Sequence, residues 1–286
     1  MKVAVLGLGI MGNGVARTLL REGFDVTVWN RSSEKAAPFA DEGATVAGTP
    51  AEAVSGADVV LSIVFDADSV LSVLSEAGAS VPADAVWVQA STIGLDGTAR
   101  VVKQAESSGV HLVEAMMLGT KKPAETGALV VLAAGDPDLL AKAQPVLDAI
   151  GSKTVTAGSR VGNGSALKLA ANAWIASITA ATAQSLALAG ALGVDPAMFL
   201  EAIDGGASDS PYAHLKGESM LAGGFEPSFA LDGLRKDIGL ISDAAQSSGV
   251  DARLLQALSA VYADASSAGH GGDDIAAVYT AFTPGE

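Results

Sequence analysis

Short apolar runs punctuate the first half of the chain: VAVLG from Val3, DVTVW from Asp25, VVLSIV from Val59, AVWVQA from Ala85, HLVEAM from His111, LVVLAAG from Leu129 and KTVTAG from Lys153. Each has the length and β-branched content of a buried strand. Between most of them lie segments with apolar residues at helical spacing, such as GVARTLLREG and LDGTARVVKQAESSG. This alternation predicts a mostly parallel sheet covered by helices. From Gly162 onward the pattern becomes helical, broken by Gly and Pro, with no strand-like run. The expected fold is an α/β N-terminal Rossmann-type domain over residues 1–160 and an all-α C-terminal domain over residues 161–286, joined by a long interdomain helix.

That helix has an unusual polarity. From Leu169 to Val194 the chain carries no formal charge, yet Lys168 stands at the entrance of the stretch and Asn172 one turn later. Residues four apart share a helix face, so ammonium and amide are expected to serve one polar space. The stretch is long enough to span a bilayer, but Ser177, Thr179, Thr182, Gln184 and Ser185 suit a helix buried in protein. The opening MKVAVLGLGIMGNGVA imitates a signal peptide, although its glycines are better explained by a ligand-binding turn.

Composition narrows the picture. A chain of 286 residues with 49% hydrophobic content can fill two modest cores. A formal net charge of -15 opposes binding to nucleic acid or to an anionic membrane. The absence of cysteine excludes disulfides, cysteine-ligated metal and thiol nucleophiles. His111, His214 and His270 are scattered without metal-ligand spacing and read as structural, so no metal site is expected. The expectation is a soluble, cytoplasmic protein acting on a small molecule.

GLGIMG, residues 7 to 12, is a G-x-G-x-x-G directly after one strand and opening a helix. Gly7 permits the tight turn, Gly9 lets the backbone approach a pyrophosphate, and Gly12 allows helix to pack on strand. Leu8, Ile10 and Met11 complete this expected cofactor segment. The second strand ends where an acidic residue would hold the ribose of NAD, but the chain has Asn30, Arg31, Ser32 and Ser33. An arginine beside small hydroxyls suits a 2′-phosphate, which favours NADP(H) over NAD(H).

With these motifs in place, the sequence resembles the β-hydroxyacid dehydrogenases. That family includes 3-hydroxyisobutyrate dehydrogenases and glyoxylate/succinic semialdehyde reductases, with 6-phosphogluconate dehydrogenase and imine reductases as relatives. The likeness runs through GLGIMGNGVARTLLREGFDVTVWNRS, QASTIG at 89 to 94, GNGSALKLAAN at 162 to 172 and LRKDIGL at 234 to 240. The resemblance implies that Lys168 is the catalytic lysine and that Asn172 helps to hold the substrate. It places Ser91 and Thr92 near the nicotinamide, adds Val64, Phe65 and Lys236 as cofactor contacts, and makes Asp237 a support for its loop. It further implies an active site between the two domains and a homodimer or homotetramer. The chemistry agrees: carbonyl reduction builds negative charge on oxygen, which a nearby ammonium stabilises and protonates.

One segment departs from the family pattern. EAMMLGTKKPAETGAL, residues 114 to 129, stands where the family usually has an acidic residue, Ala-Pro-Val and Ser-Gly-Gly. The expected substrate contacts here become Met117, Leu118, Gly119 and Thr120, together with Lys168 and Asn172. Leu118 cannot donate a hydroxyl hydrogen bond, and Met116, Met117 and Leu118 suggest a more apolar pocket. Lys121 and Lys122 read as solvated loop lysines.

The leading expectation is NADPH-dependent reduction of a small aldehyde or keto acid, reversible on the hydroxy acid, with Lys168 as general acid or base. The alternatives are an imine or neutral-ketone reductase, suggested by Leu118, and a non-catalytic NADP-binding protein. Trp174, Met198, Tyr212, Met220 and Phe225 are expected mainly in the core, and Asp273 is expected to cap the helix containing Tyr279.

Overall fold

The computed structural model describes residues 1–283; the last three residues of the expected helical domain lie outside the described residues. The chain divides into two compact units, Met1–Lys168 and Leu169–Glu286.

The first unit is built on a sheet of eight strands among the described residues. They are β1 (Lys2–Leu6), β2 (Asp25–Trp29), β3 (Thr45–Val46), β4 (Val59–Ser62), β5 (Val86–Gln89), β6 (His111–Leu118), β7 (Leu129–Ala134) and β8 (Gly151–Gly158), in the order β3-β2-β1-β4-β5-β6-β7-β8. The expected apolar runs account for all but β3, an exposed two-residue edge strand with no apolar run to announce it. Among these eight strands only β6 and β7 pair antiparallel. Residues 119–128 joining them are too few for a parallel crossover, so the chain must double back.

Helices cover both faces of the sheet, which is why its strands read as continuous apolar runs. Val3, Val5, Val86, Val88, Val113 and Ala115 pack into a core on one face, while Ala4, Leu6, Val60 and Trp87 pack on the other. The same period of two puts Glu114, Met116 and Leu118 on the face opposite Val113, Ala115 and Met117. Strand order reverses between β1 and β4, and open α/β sheets form their ligand crevice at such a reversal.

The second unit is helical. The long helix Asn163–Ala191 begins in the first unit and continues through Ala176, Ala180, Ala183 and Leu186. These pack with Leu234 and Ile238 of helix Leu231–Ser247 and with Leu258 and Tyr262 of helix Arg253–Ala265. The buried Tyr262 hydroxyl donates to the Ala176 carbonyl at 3.1 Å. Among the described residues no helix is long and apolar enough to cross a membrane.

Three expectations need correction here. Trp174 and Met198 are 63% and 54% exposed, whereas Met220 is core and Tyr212 and Phe225 pack partly buried against it. The cap of the turn Ile275–Ala281 is Asp274, whose carboxylate accepts from Ala276 N at 3.0 Å. Asp273 instead meets His270 Nδ1 at 2.7 Å.

Asp274 also anchors the terminal segment from within. Its Oδ1 lies 2.6 Å from Lys216 Nζ, with both side chains about 95% buried, and its Oδ2 accepts from the Ser228 hydroxyl at 2.7 Å and from Ser228 N at 3.0 Å. Burial pushes the carboxyl up, but the Lys216 ammonium and these donors outweigh it and hold it below the usual carboxylate value. A depressed folded-state value means that this stabilisation is full above about pH 4 and is lost as pH falls through the folded value. Lys216→Met should lower unfolding free energy at pH 7 by about 3–5 kcal/mol because it strands a buried charge. Adding Asp274→Asn should recover most of that loss, as read by urea denaturation.

Candidate active site

β1 ends at Leu6, and residues 7–9 turn the chain into helix α1 (Ile10–Arg21). Gly7 has φ +105°, and a Cβ there would strike the Ile63 carbonyl. A Cβ on Gly12 would strike the carbonyl of Gly7, so a side chain at either position would break the turn. Gly9 is different: nothing lies within 4 Å of the place a Cβ would take. It caps α1 without a side-chain hydrogen bond. An uncapped helix start presents amide donors and the positive end of its dipole. The cradle therefore fits a dinucleotide pyrophosphate, with space for approach and donors to receive it.

Asn30 Oδ1 accepts from Leu8 N at 2.9 Å, and its amide donates to the Ser32 carbonyl at 3.0 Å. Asn30 thus shapes the turn, and Leu8 faces the core with its N–H engaged. Ile10 is 38% exposed beside Gly9, while Met11 packs against the core. Arg31 and Ser32 are exposed just beyond β2.

At the ends of β4 and β5 a buried polar network holds the second expected cofactor segment. Gln89 Oε1 accepts from Ser91 N at 2.8 Å, and its amide donates to the Ser91 carbonyl at 2.6 Å. The Ser91 hydroxyl accepts from Val64 N at 2.8 Å and donates to the Ser62 carbonyl at 3.2 Å. Ser91, 3% exposed, therefore ties two strand ends together through both of its hydrogen-bonding functions. Thr92 is half-buried and Phe65 is 62% exposed beyond the same strand ends.

The lysine segment is tied to β6. Lys168 is buried, and its Nζ donates to the Met117 carbonyl oxygen at 2.7 Å. Met116 and Met117 are both core side chains, so the more apolar pocket expected from them reduces to the half-buried Leu118. Gly119 is exposed and Thr120 half-buried. Lys121 and Lys122 are exposed, but on a short helix, Lys121–Thr126, rather than in a loop. That helix is docked on α1: the Thr18 hydroxyl donates to the Ala124 carbonyl at 2.8 Å, and Arg21 to the Glu125 carbonyl at 2.8 Å. Nothing in the composition of this stretch announced the docking; the small Gly14 of α1, whose Cβ would crowd Ala124, is the nearest signal.

In the second unit Asn172 is 2% exposed and its Nδ2 donates to Asp237 Oδ2 at 2.7 Å. Lys236 Nζ lies 2.9 Å from the other oxygen, Asp237 Oδ1. The expected loop around Asp237 is in fact the interior of helix Leu231–Ser247. A carboxylate can only accept, so Asp237 fixes which end of the Asn172 amide faces it and turns the amide oxygen away. Elsewhere His214 Nε2 comes within 2.8 Å of Asp209 and 4.0 Å of Asp204, a grouping invisible in their sequence spacing.

Comparison with known proteins decides the family. Residues 2–158 match the NAD binding domain of 6-phosphogluconate dehydrogenase, and residues 162–282 match the NAD-binding domain of NADP-dependent 3-hydroxyisobutyrate dehydrogenase. The chain belongs to the β-hydroxyacid dehydrogenase family. It is 34% identical over 98% of its length to glyoxylate/succinic semialdehyde reductase 2, chloroplastic, of Arabidopsis thaliana, covering 79% of that protein. It is 32% identical to glyoxylate/succinic semialdehyde reductase 1 of the same plant, covering 98% of each chain. The solved 3-hydroxyisobutyrate dehydrogenase of Mycobacterium tuberculosis superposes with a TM-score of 0.88 at 28% identity, over 97% of each chain. This β-hydroxyacid dehydrogenase is thus an NAD(P)-dependent oxidoreductase of small substrates with a Rossmann domain and a helical domain.

Proposed function

We propose that the enzyme uses NADPH to reduce a small aldehyde or keto acid, reversibly, with Lys168 as the proton donor. The observation that carries this is the buried Lys168 ammonium, a cation taken out of water on the helix that also carries Asn172 and placed 2.7 Å from the Met117 carbonyl oxygen. When bound, the nicotinamide supplies the hydride that reaches the carbonyl carbon. Lys168 stabilises the negative charge that develops on the substrate oxygen and transfers an Nζ proton to it, giving the alcohol; in oxidation it accepts that proton. Asn172, oriented by Asp237, offers its amide oxygen to the substrate or to the lysine.

Arg31, exposed at the end of β2 beside Ser32, supports the preference for the 2′-phosphate of NADPH. The names of the two plant relatives support glyoxylate and succinic semialdehyde as first substrates to try. Leu118 favours a second reading, a neutral ketone or imine, because it offers no donor to a carboxylate. Thr120 keeps a hydroxyl that does not cap the helix following it, and Lys121 and Lys122 bring positive charge to the same segment. These features support an acid-bearing carbonyl. A cytoplasmic location and a homodimer or homotetramer complete the proposal.

Lys168→Ala should remove turnover by roughly 100-fold or more, the scale of lost general-acid catalysis, while NADPH binding by fluorescence titration stays intact. A variant with near-parental kcat contradicts the assignment. Arg31→Leu should weaken NADPH roughly tenfold or more relative to NADH, as expected for a lost charge-assisted bond. Asn30→Ala should weaken both cofactors alike, because it relaxes a turn they share. Equal losses of the two cofactors in Arg31→Leu would place 2′-phosphate recognition elsewhere.

A further inference from the structure

Glu114 lies on β6, and its carboxyl group is completely buried. One oxygen, Oε2, accepts from Gly162 N at 2.6 Å, Gly164 N at 3.0 Å and Ser165 N at 3.4 Å. The other accepts from the Ser165 hydroxyl, which in turn lies 3.0 Å from the buried Thr98 hydroxyl. A side chain from a distant strand thus supplies the acceptor that a local N-cap residue would ordinarily give to the first turn of helix Asn163–Ala191. The approach is close enough to dictate sequence: a Cβ on Gly164 would lie 3.0 Å from Glu114 Oε2 and 3.1 Å from the Leu132 carbonyl oxygen.

Lys168 follows Gly164 by one turn and so shares its helix face. Its Nζ is held by the Met117 carbonyl, three residues beyond Glu114 on the same strand. The helix is therefore fastened to β6 twice, at its first amides by Glu114 and at the lysine head by Met117. We propose that Glu114 is the positioning residue for Lys168: it sets the depth and rotation of the helix start on β6, and hence where the ammonium stands. Glu114 reaches no reacting atom and acts through the helix. Removing its grip lets the first turn shift on β6 and carries the ammonium away from the Met117 carbonyl. The kinetic part of this inference rests on Lys168 being the proton donor; the anchoring part does not.

The test combines a labelling experiment with kinetics on the full-length protein. Acetic anhydride labelling, read by peptide mass spectrometry, compares Lys168 with the exposed Lys121 and Lys122. In the parent, Lys168 should react at least about 10-fold more slowly than those two, because labelling requires local opening. Glu114→Asp, which withdraws the carboxylate by one methylene, should raise the Lys168 rate by about fivefold or more. Glu114→Gln keeps an acceptor for the backbone amides and should stay within about twofold of the parent.

With glyoxylate or succinic semialdehyde and NADPH, Glu114→Asp should lower kcat roughly 10- to 100-fold, the cost of about 1 Å of misplacement, with NADPH affinity within about twofold. Adding it to Lys168→Ala should lower the residual rate no further. If Glu114→Asp does not fold, Ser165→Ala removes one donor, keeps the backbone bonds and should still accelerate Lys168 labelling. Parental labelling of Lys168 in the folded variant overturns the proposal, as does a rate loss that multiplies with that of Lys168→Ala. Near-parental turnover by Lys168→Ala alone would instead sink the proton-donor reading and leave the labelling result to stand on its own.

Discussion

The attachment of the long helix to β6 is the interaction on which the rest of the site depends. A helix start exposes amides that must find acceptors, and burying them against a sheet without partners would cost roughly 1–3 kcal/mol each. Here one buried carboxyl group meets three of them. The same strand offers the Met117 carbonyl to Lys168, so the helix start and the lysine head both find their acceptors on β6. A single stretch, Glu114 to Thr120, therefore holds the lysine and lies within the segment that departs from the family pattern.

A second dependence runs from that segment to the cofactor turn. The short helix Lys121–Thr126 is hydrogen-bonded to α1 through Thr18 and Arg21, and α1 begins at the glycine cradle. The expected substrate side and the expected phosphate side of the first unit are thus two ends of one packed body. Close contact is what permits this, since Gly14 would crowd Ala124 if it carried a Cβ. Such docking makes the helix a fixed wall of the first unit, in keeping with the precision that hydride and proton transfer demand.

Much of this was legible in the sequence because period and spacing act locally. The apolar runs mark every strand but the two-residue β3, and the glycines of residues 7 to 12 mark a close turn. Lys168 and Asn172 were visible as the polar exceptions in an uncharged helix. What escaped were consequences of pairing across long sequence distances. The bracing bonds of Asn30 and Ser91 are of this kind, because only the folded sheet brings Leu8 and Val64 to them. Glu114 stood in a segment noted for its acidic residue, yet nothing local showed that its partners lie 48 to 51 positions away. Met116 and Met117 suggested a pocket because their runs do not show which face is core. The strand β3, exposed and two residues long, has no hydrophobic signature at all.

In the proposed reaction a buried lysine on a helix pinned to β6 protonates a small carbonyl that takes its hydride from NADPH. The most direct measurement is consumption of NADPH, with NADH in parallel, across small aldehydes, 2-keto acids, neutral ketones and cyclic imines. The enzyme should turn over at least one acid-bearing aldehyde or keto acid with preference for NADPH, giving the corresponding hydroxy acid. Tight NADPH binding with no oxidation by any carbonyl in the panel would contradict it.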